Sequence, residues 1–285
     1  MSVKSEPLRL PRWMKVPLPH GEDYSQVKRL IREHGLHTIC SSGNCPNKGE
    51  CWSAGTATFM ILGDKCTRNC RFCYVESLKP DPVDWGEAAR VADSIRKLKL
   101  KHAVLTSVAR DDLADQGAKA WARTIAMVRK LNPGITMEVL IPDFGMRSEL
   151  LDLVIAEKPE IVSHNLETVE RISPKIRSLA TYERSLRVLR YIADVGITAK
   201  SGIMLGLGET REEVRTTLKD IRSTGTRVLT IGQYLPPSEH NTPLVEYVRP
   251  EVFDELGAFG RELGFDVVES GPLVRSSYHS ERHVL

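Results

Sequence analysis

From residue 57 onward this 285-residue chain alternates two periodicities, and that alternation restricts it to a few folds. The apolar, β-branched runs ATFMILG (57–63), AVLTSV (103–108), GITMEVL (134–140), EIVSHN (160–165), ITAKSGIML (197–205) and RVLTIG (227–232) read as buried strands. Apolar residues at helical spacing separate them: Ala88, Val91, Ile95 and Leu98, then Trp121, Ile125, Val128 and Leu131. The pattern returns in Leu186, Leu189 and Ile192, in Val214, Leu218 and Ile221, and in Val252, Leu256, Phe259 and Leu263. Strands joined through helices by short connections lie parallel. Six such units are too few for the usual eight-stranded barrel. An open, partial (βα)6 barrel is expected, with a doubly wound sheet as the alternative. In either, chemistry belongs at the C-terminal ends of the strands.

The first fifty-odd residues differ. Residues 1–21 are punctuated by proline, and Tyr24, Val27, Leu30 and Ile31 then mark a short amphipathic helix. We expect an N-terminal extension over 1–55, a barrel over 56–270 and a C-terminal segment over 271–285. Forty basic and 37 acidic side chains nearly balance, which argues against a nucleic-acid partner. No apolar run approaches the roughly 18 residues of a membrane span, and the N-terminus has no apolar leader. A cytoplasmic, monomeric protein without membrane contact is expected.

Six cysteines form two triplets, Cys40, Cys45, Cys51 and Cys66, Cys70, Cys73, and none follows. So uneven a distribution does not suit a disulfide scaffold and suits metal-bound thiolates. Each triplet is one thiolate short of the four ligands of structural zinc or an ordinary iron–sulfur cluster. The second, C-x3-C-x2-C, directly follows the first strand, and one loop of that spacing can wrap a cubane with Phe72 as its shield from water. A zinc loop completed by a distant histidine is the bland alternative; no second C-x2-C pair or H-x3-H segment supports it.

C-x3-C-x2-C after the first strand resembles the signature of radical S-adenosylmethionine (SAM) enzymes. There SAM chelates the fourth iron and is cleaved to a 5′-deoxyadenosyl radical. The upstream C-x4-C-x5-C narrows the likeness to the lipoyl synthases, as do TSVARDDL (106–113), HNLETV (164–169), SGIMLGLGET (201–210), TIGQYLPPS (230–238) and GPLVRSSYH (271–279). The resemblance implies a radical SAM type of barrel with N- and C-terminal extensions and two 4Fe–4S clusters. One sits on Cys66, Cys70 and Cys73; the other, auxiliary, sits on Cys40, Cys45 and Cys51 with a serine of RSSY as fourth ligand. Ser276 and Ser277 are both candidates, with Ser276 preferred. The implied reaction inserts two sulfurs at C6 and C8 of a protein-bound octanoyl-lysyl group, the auxiliary cluster giving the sulfur. A serine alkoxide is a hard iron ligand and so the easiest to give up, and the segment bearing it is expected to close over the barrel mouth. Implied partners are octanoylated carriers (an H protein or the acyltransferase subunit of a 2-oxoacid dehydrogenase), a ferredoxin or flavodoxin reductant, and an iron–sulfur carrier.

For SAM the candidates are Thr106 and Ser107 at the second strand's end, with Asp111 and Asp112 beyond, helix capping being the alternative for either aspartate. Asn165 and Glu167 suit ribose hydroxyls. Lys200, beside Gly202 and Gly206, and Gln233 with Tyr234 complete the set; snorkelling and core packing are the bland readings of Lys200 and Tyr234. Arg275, which precedes the candidate serine ligand, is read as neutralising cluster charge, with a merely solvated side chain as the alternative. Ala109, Arg71, Tyr74 and Ser280 depart from the family pattern, and none is a cluster ligand. His20, His34, His37, His102 and His283 are read as structural or solvated. A different radical SAM sulfur-inserting enzyme and a two-cluster electron carrier are the competing classes.

Overall fold

The computed structural model describes residues 9–16, 22–53 and 57–285. His20 and most of the proline-punctuated start lie outside the described residues. The chain supplies strands β1 (His37–Thr38), β2 (Thr58–Ile61), β3 (Lys65–Cys66), β4 (Glu76–Ser77), β5 (His102–Ser107), β6 (Thr136–Leu140), β7 (Ile161–Ser163), β8 (Thr198–Leu205), β9 (Val228–Gln233) and β10 (Val267–Ser270). Eight of them form one sheet in the order β1-β2-β5-β6-β7-β8-β9-β10, and β3 pairs with β4. Every pairing in the large sheet is parallel except that of β1 with β2. All six expected strands are present. The edges β1 and β10 do not pair, so the barrel is open, as expected.

The helices are α1 (Glu22–Glu33), α2 (Ile39–Ser42), α3 (Lys48–Ser53), α4 (Glu87–Lys97), α5 (Ala118–Leu131), α6 (Ser148–Ile155), α7 (Ser173–Ile176), α8 (Tyr182–Asp194), α9 (Arg211–Ser223) and α10 (Pro250–Glu262). Their starts follow local chemistry. Thr210 and Glu213 form a reciprocal capping box on α9, and the Thr181 hydroxyl accepts from Arg184 N on α8. Outward-facing Phe59, Leu105, Met137 and Val139 pack on Val91, Ile95, Trp121 and Ile125 of α4 and α5. Ile203, Leu205, Leu229 and Ile231 pack on Leu189, Val214, Leu218 and Phe253. With a side-chain period of two, the alternate positions Thr58, Glu138, Ser163, Lys200, Gly202 and Thr230 turn to the opposite, interior face. That face is polar.

The C-terminal segment corrects the expected path. It does not stop over the barrel mouth. After β10, Gly271 N donates to Ile231 O (3.0 Å) and the chain turns back across β9. A β-carbon on Gly232 would stand 2.1 Å from Val274 O, so only glycine permits this crossing. The segment continues inward, and a 3-10 turn (Ser280–His283) brings buried His283 to within 3.0 Å of Lys200 Nζ, near the first residues of the strands.

Candidate functional site

The segment that follows the C-terminal end of β2 carries Cys66, the last residue of β3, and then Cys70 and Cys73, and neighbouring elements hold it from several sides. Ala109 N and Arg68 N donate to Cys66 Sγ (3.3 and 3.4 Å). Thr67 donates its hydroxyl to Asp111 (2.7 Å), and the Arg68 guanidinium grips Asp111 through two bonds of 2.8 and 2.7 Å and Asp143 through one of 2.7 Å. Asp143, itself buried, also accepts from Arg184 (3.1 Å). Burial pushes the Asp143 carboxyl up, but the Arg68 charge and the two guanidinium bonds prevail and hold it at about 2. On the other side Arg71 N donates to Ile176 O (2.7 Å), and Asn241 donates to Cys73 O (2.9 Å). Phe72 packs, partly buried, on the second core cluster. Cys70 Sγ lies 3.7 Å from Ser178 Oγ. Sequence reasoning missed Arg68 and Asp143. A cation set between thiolate ligands is the one local signal, since its second carboxylate lies 75 residues away.

Inside the barrel a cavity of about 70 Å3 is lined by Asn165, Glu167, Thr230, Arg275 and Ser276 among others. Asn165 Nδ2 donates to Ser276 Oγ (3.0 Å), whereas Asn165 Oδ1 is buried without a partner. Glu167 lies beyond β7, which ends at Ser163 and not at Asn165 as expected. It is held beside β8 by its backbone N–H to Gly202 O (3.0 Å) and by Met204 N to its own carbonyl (2.8 Å). Its φ of 71° is left-handed, which is uncommon for a residue with a β-carbon and recurs at functional sites. Burial pushes its carboxyl up, against the pull of Arg177.

The structure does not bring the remaining candidates into this cavity. Thr106 donates its hydroxyl to Leu140 O (3.1 Å), and Ser107 Oγ accepts from Trp121 Nε1 (3.1 Å). Gln233 gives its amide N–H groups to the carbonyls of Leu205, Tyr234 and Glu246 and accepts from Val248 N. Lys200 is fully buried, at 2.7 and 2.6 Å from the Glu138 carboxylate. Each of these four side chains thus has a partner within the fold; a contact with SAM would have to be made beside or in place of that partner. Asp112 pairs with Arg110 (2.9 Å).

Toward the other end of the strands a larger cavity, about 380 Å3, is lined by Cys40, Cys45, Cys51, Asn47, Thr58, His102, Arg275, Ser277 and Tyr278 among others. Ser277 faces the thiols; Ser276 faces the smaller cavity. N-terminal and C-terminal legs are tied here by Asn47 Nδ2 to Leu273 O (2.6 Å) and Tyr278 OH to Glu50 (3.1 Å). The Arg275 guanidinium lines both cavities, donates to Val274 O (2.7 Å) and is ion-paired with no carboxylate among the described residues.

The thiol chemistry of the triplets is compatible with iron–sulfur ligation. All six cysteines are free thiols. Burial pushes Cys40 and Cys66 up and Cys51 and Cys73 to about 12, with neighbouring thiols adding to the rise, so positive metal is needed to hold the thiolates. Among the described residues no three ligating side chains converge on a single ion point. Cys40, Cys45 and Cys51 all line the larger cavity. Buried Asn47 Oδ1 and His102 Nε2, both on this cavity's wall, have no partner.

Residues 60–221 match the Radical SAM superfamily. Similar folds occur in crystal structures of SuiB from Streptococcus suis bound to S-adenosylmethionine (TM-score 0.60, 8% identity, 78% of this chain and 54% of that one) and of methylornithine synthase (0.56, 14%, 87% and 78%). The open parallel barrel with three cysteines beyond its first parallel strand is thus a radical SAM enzyme. Residues 1–45 match the N-terminal domain of lipoyl synthase of the Radical SAM family. Lipoyl synthases of Treponema denticola and Bacteroides thetaiotaomicron are 56% and 54% identical over 277 residues, 97% of this chain and 96% and 98% of theirs. The chain belongs to the lipoyl synthase family, whose members insert sulfur with SAM and 4Fe–4S chemistry. No helix among the described residues is long and apolar enough to cross a membrane.

Proposed function

We propose that the chain inserts two sulfur atoms, at C6 and C8, into an octanoyl-lysyl group carried on another protein. The carrying observation is the separation of the triplets: one follows β2 at the strands' C-terminal ends, the other lines a cavity toward their start, and the 274–277 segment lines both that cavity and the smaller interior one. Cys66, Cys70 and Cys73 would hold the SAM-binding cluster. Cys40, Cys45 and Cys51 would hold a second, with Ser277, rather than the initially preferred Ser276, as the hydroxyl facing it. When bound, the two clusters and SAM supply a hydrogen-abstracting deoxyadenosyl radical and the sulfide.

The chain's own residues fix the geometry. Arg68, through Asp111 and Asp143, keeps the cysteine loop seated on the strand ends. Asn165 and Glu167 present polar atoms to the interior beside Gly202, where the missing side chain leaves room. Arg275 supplies a positive charge at the wall common to both cavities, and the partly buried Phe72 helps exclude water from the loop. We assign 1–55 to an extension bearing auxiliary ligands, 56–270 to the barrel and 271–285 to the serine-bearing segment. The substrates are octanoylated H protein or the acyltransferase subunit of a 2-oxoacid dehydrogenase, with a ferredoxin or flavodoxin reductant, an iron–sulfur carrier for rebuilding, and a cytoplasmic, monomeric enzyme.

The test is anaerobic incubation of reconstituted protein with SAM, a low-potential reductant and an octanoyl-lysyl peptide. We expect 5′-deoxyadenosine and a product heavier by two sulfurs less two hydrogens, or its dithiol. Absence of any thiolated product from protein carrying about eight irons per chain, two cubanes' worth, would refute the proposal.

A further inference from the structure

We infer that the turn between α4 and β5 is the docking surface for the acyl carrier, recognising carboxylates that flank the acylated lysine; this rests on the function proposed above. Of the residues that line the larger cavity, Glu50, Lys101 and Glu281 are the exposed ones and mark its side nearest solvent. An acyl-lysine arm enters only if the carrier surface around that lysine comes to this rim. Next to Lys101 along the chain stand Arg96, Lys97 and Lys99, all exposed.

A helix C-terminus attracts cations, and that alone accounts for Arg96 and Lys97, which also share Asp93 at 2.5 and 3.0 Å. It does not account for Lys99 and Lys101. Both lie beyond the last turn of α4, and neither is ion-paired among the described residues. Lys99 moreover has φ of 53°, with its N–H bonded to Arg96 O (3.0 Å) and Leu100 N to Ile95 O (3.2 Å). Such a helix-terminating turn favours glycine, and a β-carbon there is penalised. The sequence keeps a cation at the tip of this turn against that backbone preference.

Every other charge at the rim bears on the sign. Lys48 of α3 lies over the Trp52 ring (5.3 Å to its centroid) and adds to the positive field. Glu50 accepts from Tyr278 (3.1 Å), while Glu281 lies 3.6 Å from both His279 and Arg282. His34 contacts Lys97 at 3.0 Å. Glu281 is thus beside cations, Glu50 keeps its charge under the Tyr278 hydroxyl, and three cations at this rim, Lys48, Lys99 and Lys101, are ion-paired with no carboxylate among the described residues. A positive rim steers and orients an acidic partner and makes association salt-dependent.

The experiment uses reconstituted enzyme with Lys97→Glu plus Lys99→Glu, and separately Lys99→Gln. Substrates are an octanoylated carrier with carboxylates beside its lysine and a neutral octanoyl-lysyl tripeptide. We expect the carrier concentration that gives half the maximal single-turnover rate to rise at least tenfold in the double variant and about threefold in Lys99→Gln, with the rate at saturation, tripeptide conversion and deoxyadenosine yield unchanged. Direct titration of carrier onto enzyme should weaken in parallel and lose its salt dependence. Unchanged carrier affinity, or equal losses with carrier and tripeptide, would overturn the inference. Should wild type bind the carrier yet thiolate neither substrate, the titration still decides the docking surface, and only the proposed function falls.

Discussion

Replacing Glu138 by leucine isolates the effect of the buried charge at the foot of the barrel. Lys200 and Glu138 are both 0% exposed and in direct contact at 2.6 Å, with Ser163 Oγ donating to the same carboxylate at 2.9 Å. Removing one partner of such a pair costs about 3–5 kcal/mol, because the other is left charged in a low-dielectric interior. With an unfolding entropy of about 2.1 cal/mol/K per residue, over 285 residues, the melting midpoint of Glu138→Leu should fall by about 5–8 °C. Adding Lys200→Met removes the second charge and should recover most of that loss. The orphaned lysine gives a further signature. Burial already presses its ammonium toward the neutral form against the attraction of Glu138, and without Glu138 its folded pKa drops further below that of the unfolded chain. The unfolded chain then binds more protons, so the single variant's deficit should shrink as pH rises. Calorimetric melts of the reconstituted protein between pH 7 and 9 measure both effects. A deficit below about 1 kcal/mol, or a double variant no better than the single, would refute an energetically important buried pair.

Cys70→Ala should abolish 5′-deoxyadenosine formation, whereas Cys45→Ala should keep it and lose sulfur insertion; chromatography of both products from each variant is the check, and equal loss of both in each would contradict the division of roles. Gly232→Ala forces a β-carbon against Val274 O, 2.1 Å away, and should expel the segment beyond Gly271 from its path, which limited proteolysis with mass spectrometry would detect as new cleavage between 275 and 285. Burial, reinforced by Arg177, depresses His164 to about 4, and burial with Lys200 depresses His283 to about 3. The unfolded histidines titrate near 6.5, so stability is full above that and should decline as pH falls toward 4; urea midpoints against pH should show the slope, and His164→Asn with His283→Asn should flatten it.

What could be read before the structure was local. Six strands and five amphipathic helices announce themselves through their own periodicity, and the Cys66–Cys73 loop follows its strand directly. β10 escaped because Val267, Val268 and Glu269 are all half-buried and show no alternation, and β1 has only two residues. Lys200 was legible as a strand residue, but its partner is 62 positions away, and nothing near either residue distinguishes a buried pair from a ligand or a snorkelling side chain. Thr106 and Gln233 pose a similar ambiguity: a polar side chain at a strand end can serve a ligand or a neighbouring backbone, and their bonds to Leu140 O and Leu205 O were not legible in the sequence. Ser276 and Ser277 illustrate the sharpest limit. They are adjacent, yet line different cavities.

The ties from Asn47 to Leu273 and from Glu50 to Tyr278 span 226 and 228 residues. Contacts so distant in sequence form only after the intervening chain has collapsed, because loop closure is costly until other contacts reward it. The Cys66–Cys73 loop needs only partners up to Asn241 and is seated chiefly by Ala109, Asp111 and Asp143. During refolding the first cradle should therefore become competent for iron before the second. A barrel lacking its C-terminal strap would present one finished cradle and one set of loose thiols, open to oxidation.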